Sequence, residues 1–254
     1  MLEIIQLAVL NDNYIYILHD PVSAQTAVVD PAISEPVLAI LAEKEWQLNY
    51  ILNTHHHWDH IGANLELQKI SNCKILGAHA DSSRIPGIDI TLNHGDTIKL
   101  GDELATVLAT PGHTLGHMVY HFADSQALFC GDTLFSMGCG RLFEGSAEQM
   151  WQSLQQIKQL PAQTRLYCAH EYSQENGKFA LTLEPDNLQL QHRVQQVDTL
   201  RKQQKPTVPS TLEQELASNP FLRENSTAIQ QAIHMTGQTP AAVFAKIRQL
   251  KDAF

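Results

Sequence analysis

The first two-thirds of the chain consist of short apolar runs rich in β-branched and aromatic residues, separated by segments with apolar residues at helical spacing. Such runs, bounded by turn residues, predict strands. We place strands at residues 3–9, 14–18, 27–29, 50–53, 74–77, 104–108, 118–122, 127–130 and 165–168. The helical periodicity predicts helices over 35–46, 63–70 and 146–160, the last capped by Ser146.

The pattern changes after Tyr172, where glutamine, leucine and alanine dominate and β-branched runs are few. Prolines interrupt this part repeatedly, which predicts several short helices rather than a few long ones. They stand at Pro185, Pro206, Pro209, Pro220 and Pro240. The chain therefore divides into a mixed α/β domain, residues 1–172, and a helical C-terminal domain, residues 173–254.

Composition and charge narrow the classes of partner. The 254 residues carry a formal net charge of -10, which disfavours a nucleic-acid partner because a phosphate backbone is met by basic surfaces. The four cysteines form no CxxC pair, so neither a thiolate zinc site nor a disulfide framework is indicated. No apolar run reaches the roughly 18 residues that a membrane span needs. We expect a cytoplasmic monomer with a small-molecule substrate and no membrane partner.

Candidate chemistry is concentrated in the run THHHWDH, residues 54–60, directly after a predicted strand. Alternate residues of an extended segment point the same way, so His55, His57 and Asp59 share one side. The adjacent His60 can turn toward a second centre. One short segment could thus supply ligands to two metal ions.

Three more candidate ligands follow predicted strands, where loops held by a rigid sheet usually carry functional residues. They are His113, Asp132 and His170. Imidazole and carboxylate donors without a thiolate suit zinc, iron or manganese, and a carboxylate is well suited to bridging two cations. The combined set predicts a site for two metals.

The motif HxHxDH, formed by residues 55–60, resembles the signature of the metallo-β-lactamase superfamily. The resemblance implies an αββα sandwich and two divalent ions per chain, zinc foremost, with iron or manganese as alternatives. By that resemblance the first metal is held by His55, His57 and His113, the second by Asp59, His60 and His170, and Asp132 bridges the two.

Within that superfamily the chain resembles the glyoxalase II (hydroxyacylglutathione hydrolase) family in segments 11–14, 110–117, 130–135, 138–141, 170–172 and 248–252. The resemblance implies hydrolysis of S-D-lactoylglutathione, and of other S-2-hydroxyacylglutathiones, to glutathione and D-lactate. This is the second step of methylglyoxal detoxification. A metal-bridging hydroxide would attack the thioester, with no further catalytic side chain and Asp59 as an alternative proton carrier.

The same resemblance implies a glutathione site. Family members place a basic pair in the C-terminal helical region, matched here by Arg248 and Lys251, which lie three residues apart on a predicted helix. Arg141 and Tyr172 match further family positions, whereas Phe143 stands where relatives often carry tyrosine. Without the resemblance, the basic pair would be an ordinary solvated helix face.

Two rival functions use the same fold. One is a persulfide dioxygenase with a single iron, which would not need the second ligand set. The other is a different hydrolase of the superfamily, such as a lactonase, for which the basic pair has no obvious use. Among the remaining polar residues, we expect His56 to be structural and His117 to orient a ligand or loop. Asp30 is either a strand-end turn residue or a carboxylate that orients a ligand.

Overall fold

The computed structural model describes all residues from 1 to 254 and divides into two compact units. The first comprises Met1–Ala109 and Leu115–Gly131, and the second comprises Thr110–Thr114 and Asp132–Phe254. No helix is long and apolar enough to cross a membrane.

The first unit contains a six-stranded sheet in sequential order. Its strands are β1 (Glu3–Val9), β2 (Asn13–Asp20), β3 (Gln25–Val29), β4 (Leu48–Leu52), β5 (Lys74–Ala78) and β6 (Ile90–Leu92). The first three are antiparallel neighbours, and β3 to β6 run parallel. Parallel strands need crossover connections, which here include α1 (Glu35–Lys44), α2 (Trp58–Ile61) and α3 (Asn64–Ser71).

Apolar side chains explain why this sheet is covered. Ile15, Val28, Ile51 and Ile75 are fully buried in one cluster with residues of α1 and α3, such as Val37 and Leu67. The strands that carry them are near-continuous apolar runs, typical of sheets packed on their faces. The cluster fixes the position of the loop after β4, which begins at Asn53.

The first unit also contains an antiparallel set of strands joined in sequence. These are β7 (Thr97–Leu100), β8 (Glu103–Ala109), β9 (Met118–Phe122) and β10 (Ala127–Gly131). Strand β8 alternates buried and exposed residues, whereas β9 and β10 are buried throughout. The side chains on both faces of β9 and β10 are therefore covered.

The second unit is mainly helical. It contains two short hairpin strands, β11 (Leu134–Phe135) and β12 (Gly138–Cys139), and the antiparallel pair β13 (Arg165–Cys168) and β14 (Ser210–Thr211). Its helices are α4 (Ala147–Ile157), α5 (Ser173–Leu183), α6 (Leu188–Lys202), α7 (Leu212–Ser218), α8 (Thr227–Ala232) and α9 (Pro240–Ala253).

Capping residues explain where several of these helices begin. Ser146 and Gln149 form a reciprocal capping box at α4, which confirms the predicted cap. Thr211 and Gln214 form another at α7, and Thr239 caps α9 immediately before Pro240. The prediction of several short helices after residue 172 is confirmed, and the longest of them, α6, has 15 residues.

The predicted strands are all present, although most differ by a residue or two at their ends. The predicted first helix was too long, because Glu45 adopts a left-handed conformation (φ 57°) and ends α1 at Lys44. Strands β6, β7, β11, β12 and β14 were not predicted. All are short, with two to four residues each.

Candidate active site

The loop after β4 brings four of the predicted ligands together within the first unit. The rings of His55 and His57 have centroids 4.6 Å apart, and those of His55 and His60 are 4.0 Å apart. Asp59 Oδ2 lies 3.6 Å from His60 Nε2. His55 and His60 are almost completely buried, so their imidazoles are held by protein rather than by solvent.

Asp30 organises this loop from the end of β3. Its carboxylate accepts hydrogen bonds from the backbone amide of Thr54 (2.7 Å) and from the Thr54 hydroxyl (2.6 Å). The same carboxylate lies 2.9 Å from His60 Nδ1. When a carboxylate engages one ring nitrogen of a histidine in this way, the other nitrogen, here Nε2, is the one that can bind a metal. Asp30 also has φ 51°, as a turn residue at a strand end can have, and its carboxylate contacts the candidate ligand His60, so the orienting role stays a prediction.

Asn13 supports Asp59 in a similar way. Its side-chain amide donates to Asp59 Oδ2 at 2.9 Å from the start of β2. One oxygen of the Asp59 carboxylate is thus held by a neutral donor. Because this amide donor is neutral, it positions the carboxylate without placing a competing positive charge beside it.

The other two histidines of this region differ in role, as expected. His56 turns away from the run and places its Nδ1 3.0 Å from Asp81, which is fully buried. His117 is 1 % exposed and stacks on His55, with ring centroids 4.9 Å apart. His56 therefore holds a neighbouring turn, and His117 fixes the orientation of the His55 ring.

The remaining predicted ligands come together within the second unit. Asp132 Oδ2 lies 3.3 Å from His113 Nε2, and Asp132 Oδ1 lies 3.4 Å from His170 Nε2. All three residues are buried. The two oxygens of one carboxylate thus face two different imidazoles, which is the arrangement expected of a carboxylate that bridges two cations.

Backbone and ring contacts orient the two imidazoles. His113 Nδ1 lies 2.9 Å from the carbonyl oxygen of Arg141, so Nε2 is the atom directed at Asp132. The His170 ring stacks in parallel on Tyr172, with centroids 4.8 Å apart and an interplanar angle of 1°. Imidazole and carboxylate donors, without a thiolate among them, fit a divalent transition metal in both units.

Beside His113 and Asp132 the second unit contains a cavity of about 420 Å³. This volume is within the range of small-molecule sites, roughly 300–1,000 Å³. All the predicted glutathione contacts line it: Arg141, Phe143, Tyr172, Arg248 and Lys251. It is also lined by four residues that the sequence did not single out: Phe135, Cys139, Glu175 and Asn176.

Arg248 is not a solvated surface cation. Its Nη1 donates to the carbonyl oxygen of Cys139 at 2.8 Å, and its Nη2 lies 2.8 Å from Asp252. The guanidinium also lies over the ring of Phe221, 5.1 Å from the centroid. Because only 4 % of the residue is exposed, the solvated helix face considered as the alternative is wrong for Arg248.

Lys251 lies in a partly apolar setting on the same helix. Its ammonium is 5.4 Å from the ring centroid of Phe179 and 5.1 Å from that of Phe254, and it donates to the carbonyl oxygen of Glu175. Burial lowers the pKa of Lys251, and the neighbouring positive charge of Arg248 lowers it further. An anionic ligand in the cavity would relieve both effects.

The thiol of Cys139 is unsuited to nucleophilic catalysis. Burial raises its pKa to about 11, even though the Arg248 guanidinium opposes that shift. A thiol with this pKa is protonated near neutral pH, and the thiolate is the reactive form. The cavity wall therefore contains cations and candidate metal ligands, but no activated thiol.

Sequence reasoning missed Asn13 and Thr54 as supports of the ligand loop, and Glu175 and Asn176 in the cavity wall. Asn13 stands in the segment 11–14 that carried the family resemblance, but its partner Asp59 lies 46 residues away. Glu175 and Asn176 follow Tyr172 within one turn of α5. A predicted helix starting at 173 could have suggested them by their closeness to Tyr172.

Comparison with protein families and with individual known proteins identifies the family of the chain. Residues 12–170 match the model of the metallo-beta-lactamase superfamily, and residues 171–254 match that of the hydroxyacylglutathione hydrolase C-terminus. A hydroxyacylglutathione hydrolase of Methylococcus capsulatus is 54% identical over 254 residues, covering 100% of this chain and 99% of the relative. The chain belongs to the hydroxyacylglutathione hydrolase family.

A second family member, from Rhodospirillum rubrum, is 53% identical over 253 residues, again with 100% of this chain and 99% of the relative covered. A hydroxyacylglutathione hydrolase of a Synechococcus species is 51% identical, with both chains covered completely. The family resemblance therefore extends over both the ligand loop and the helical C-terminal region.

Solved structures confirm the metallo-β-lactamase fold. The crystal structure of the BLEG-1 B3 metallo-beta-lactamase matches with a TM-score of 0.66 and 22% identity, covering 87% of this chain and 99% of that one. The structure of ETHE1 from Myxococcus xanthus matches with a TM-score of 0.69 and 23% identity, covering 99% of both chains. At this identity the likeness concerns the fold alone. The predicted αββα class is thus confirmed.

Proposed function

We propose that this protein hydrolyses S-D-lactoylglutathione, and other S-2-hydroxyacylglutathiones, to glutathione and the free 2-hydroxy acid. This reaction is the second step of methylglyoxal detoxification. One observation carries the proposal most directly. A single cavity is lined both by the candidate metal ligands His113 and Asp132 and by the cations Arg141, Arg248 and Lys251.

The charges of the cavity wall suit glutathione. The tripeptide has two carboxylates and one ammonium, and the wall carries three cations and the Glu175 carboxylate. Arg141 and Lys251 are the cations available to meet the carboxylates, because Arg248 is already engaged by Asp252 and a backbone carbonyl. Arg248 would then contribute long-range charge and support the wall. We assign this recognition to residues 173–254 together with Arg141, Phe143 and Tyr172 of the preceding domain, and the metal chemistry to residues 1–172.

We assign two divalent cations to the ligand sets: His55, His57 and His113 for one, Asp59, His60 and His170 for the other, and Asp132 for both. Zinc suits these donors best, with iron and manganese as alternatives. When bound, such ions activate water near neutral pH and polarise the carbonyl group of a substrate. The contacts of Asp30 with His60 and of Arg141 with His113 support the proposal, because with Nδ1 of each imidazole engaged in this way, Nε2 would be the atom that binds a metal.

The departure of the leaving group requires no strong general acid from the protein. The thiolate of glutathione leaves readily, since a thiol has a pKa near 8.5 and needs no strong general acid. The cavity wall holds the peptide of the substrate and so positions the thioester carbonyl beside Asp132 and His113. Asp59, held by Asn13, is assigned as a metal ligand, with proton transfer as its alternative role.

Purified protein should release free thiol from S-D-lactoylglutathione, and a chelator should abolish the release until zinc is restored. Two parallel samples sharpen the test: a lactone, and glutathione persulfide with oxygen-uptake detection. Thiol release without activity on the other two would support thioester hydrolysis. Oxygen uptake with glutathione persulfide, and no thiol release from the thioester, would overturn it in favour of a dioxygenase.

A further inference from the structure

The turn that joins β11 to β12 is held by four side chains from three later parts of the second unit: α5, α7 with its C-terminal cap, and α9. In each residue from 135 to 139, one backbone group, either the amide or the carbonyl, is hydrogen-bonded to a side chain. Asn219 Nδ2 donates to the carbonyls of Phe135 and Gly138, both at 3.0 Å, Asn176 Nδ2 donates to Ser136 (3.1 Å), and Arg248 Nη1 donates to Cys139 (2.8 Å). The amide of Met137 donates to Glu215 Oε2 at 2.7 Å.

Glu215 and Asn219 lie deepest in this arrangement, and neither lines the cavity. They stand one helical turn apart at the C-terminal end of α7, and Asn219 Nδ2 lies 3.0 Å from Glu215 Oε2. The side-chain oxygen Oδ1 of Asn219 accepts a hydrogen bond from the backbone N–H of Phe221, which fixes the Asn219 side chain in one orientation. Both residues are fully buried. Burying a carboxylate is costly, so its presence here calls for a role that an apolar residue could not fill.

The ends of the held hairpin adjoin the candidate metal ligands. Asp132 lies two residues before β11, and Arg141 lies two residues after β12. The two ends meet, because the amide of Gly140 donates to the carbonyl of Thr133 at 3.3 Å. A side chain at Gly140 would overlap the carbonyl oxygen of Asp132, so the approach is as close as the backbone allows.

The position of this hairpin therefore affects two ligands together. One end carries the Asp132 carboxylate directly. The other end carries the Arg141 carbonyl that orients His113 through Nδ1. A shift of the turn by a fraction of an ångström would change the separation of Asp132 and His113, on which joint metal binding depends.

We propose that Glu215 and Asn219 are positioning residues that fix the hairpin 134–139 and thereby hold Asp132 and His113 at the separation required by a metal centre. The inference rests on the proposed function only in taking those two residues as ligands. The pair contacts the hairpin backbone and does not line the cavity. Its loss should therefore weaken metal binding and lower kcat more than it raises KM.

The test uses full-length Asn219→Ala, Glu215→Ala and Glu215→Gln variants. Zinc affinity is measured by competition with a chromophoric chelator, without substrate. Asn219→Ala should bind zinc up to about tenfold more weakly, the lower end of the 10–100-fold cost of removing a direct partner of a metal ligand, because Asn219 acts through the hairpin backbone. With zinc in excess, kcat should fall while KM changes by less than about threefold. Glu215→Gln keeps an acceptor for the Met137 amide, so its zinc affinity should lie between those of Glu215→Ala and the wild type.

Glu184→Gln provides a matched control. Glu184 is also a buried carboxylate of the helical region, and its oxygens are engaged by Arg223 and Ser226 rather than by the hairpin. This variant should lose thermal stability but retain zinc affinity and kcat. If Asn219→Ala and Glu215→Gln lose only stability, as the control does, the positioning role is overturned.

Failure of the proposed function would give a different result. A wild-type protein that binds zinc but does not cleave the thioester would refute the hydrolase assignment, yet the zinc affinities of the variants would still test the role of Glu215 and Asn219.

Discussion

The two groups of candidate ligands are built in different ways. In the first unit, His55, His57, Asp59 and His60 come from one short loop, oriented by Asp30 and Asn13. In the second unit, His113, Asp132 and His170 come from three separate segments, and the cavity beside them adds residues as distant as Lys251. The candidate ligands of the first unit are therefore arranged by a local motif, whereas those of the second unit and the cavity beside them depend on long-range contacts.

The largest effect should follow from removing the carboxylate shared by two imidazoles. We expect Asp132→Ala to lose at least one metal per chain, and with it at least a hundredfold in kcat/KM, because a ligand matters more than the groups that orient it, which are worth 10–100-fold. Metal content by elemental analysis and thiol release would be measured on the same sample. Full metal content and activity would show that Asp132 is not a ligand.

A smaller effect should come from the loop of the first unit. We expect Asp30→Asn to weaken metal binding about 10–100-fold, because His60 loses the carboxylate that orients it. His56→Gln is the matched control, since it changes a histidine of the same run that faces Asp81 instead. Chelator competition would compare the two variants. Equal losses of affinity would mean that the effect of Asp30 is on folding of the loop rather than on a ligand.

The pH dependence of ligand binding should report on the cavity of the second unit. The pKa of Lys251 is lowered by burial and by the charge of Arg248. As the pH rises, its ammonium therefore loses its proton at a pH below 10.5, the usual pKa of lysine. Binding of an anionic ligand should then weaken on the alkaline side. The dissociation constant of S-methylglutathione, measured from pH 7 to 10.5, should rise earlier for wild type than for Lys251→Arg, since arginine keeps its charge.

Identical pH profiles for these two proteins would show that Lys251 does not meet the carboxylate of the ligand. Titration of the ammonium group of the ligand itself affects both proteins equally and cancels in the comparison.

The smallest effect should come from Phe143, where relatives often carry tyrosine. The ring lies 5.2 Å from His113 and is 63% exposed at the cavity rim. Phe143→Tyr should restore one hydroxyl donor and lower KM by about two- to tenfold, since a single neutral hydrogen bond is worth about 0.5–1.5 kcal/mol. Steady-state KM with kcat as the internal reference would detect it. A higher KM would mean that the hydroxyl finds no acceptor on the substrate.

The contrast between the two units also explains what the sequence could reveal. The ligand loop was predictable because its spacing is local and its residue types are specific to metal binding. The roles of Asp30 and Asn13 were only partly accessible, because their partners lie 30 and 46 residues away. The hairpin 134–139 was not predicted at all, since its strands have two residues each and are stabilised by side chains from residues 176 to 248.

The basic pair shows the same limit from another side. Spacing alone places Arg248 and Lys251 on one face of a helix, but it does not distinguish a solvated face from a cavity wall. The distinction depends on contacts with Phe221, Phe179 and the Cys139 carbonyl. These three residues are far from the pair in sequence and reach it only in the folded chain. Burial of charge is decided by tertiary contacts, and no local pattern encodes it.

In the proposed function, divalent ions held by the candidate ligands would supply the chemistry, while the cavity of the second unit recognises the glutathione carrier. The most direct measurement is the ratio of kcat/KM for S-D-lactoylglutathione to that for S-D-lactoyl-N-acetylcysteamine, which has the same thioester without the peptide charges. A charged hydrogen bond is worth about 1.5–3 kcal/mol, so the loss of two should give a ratio of about 100 or more. A ratio near one would contradict the account, because the cavity would then contribute nothing to recognition.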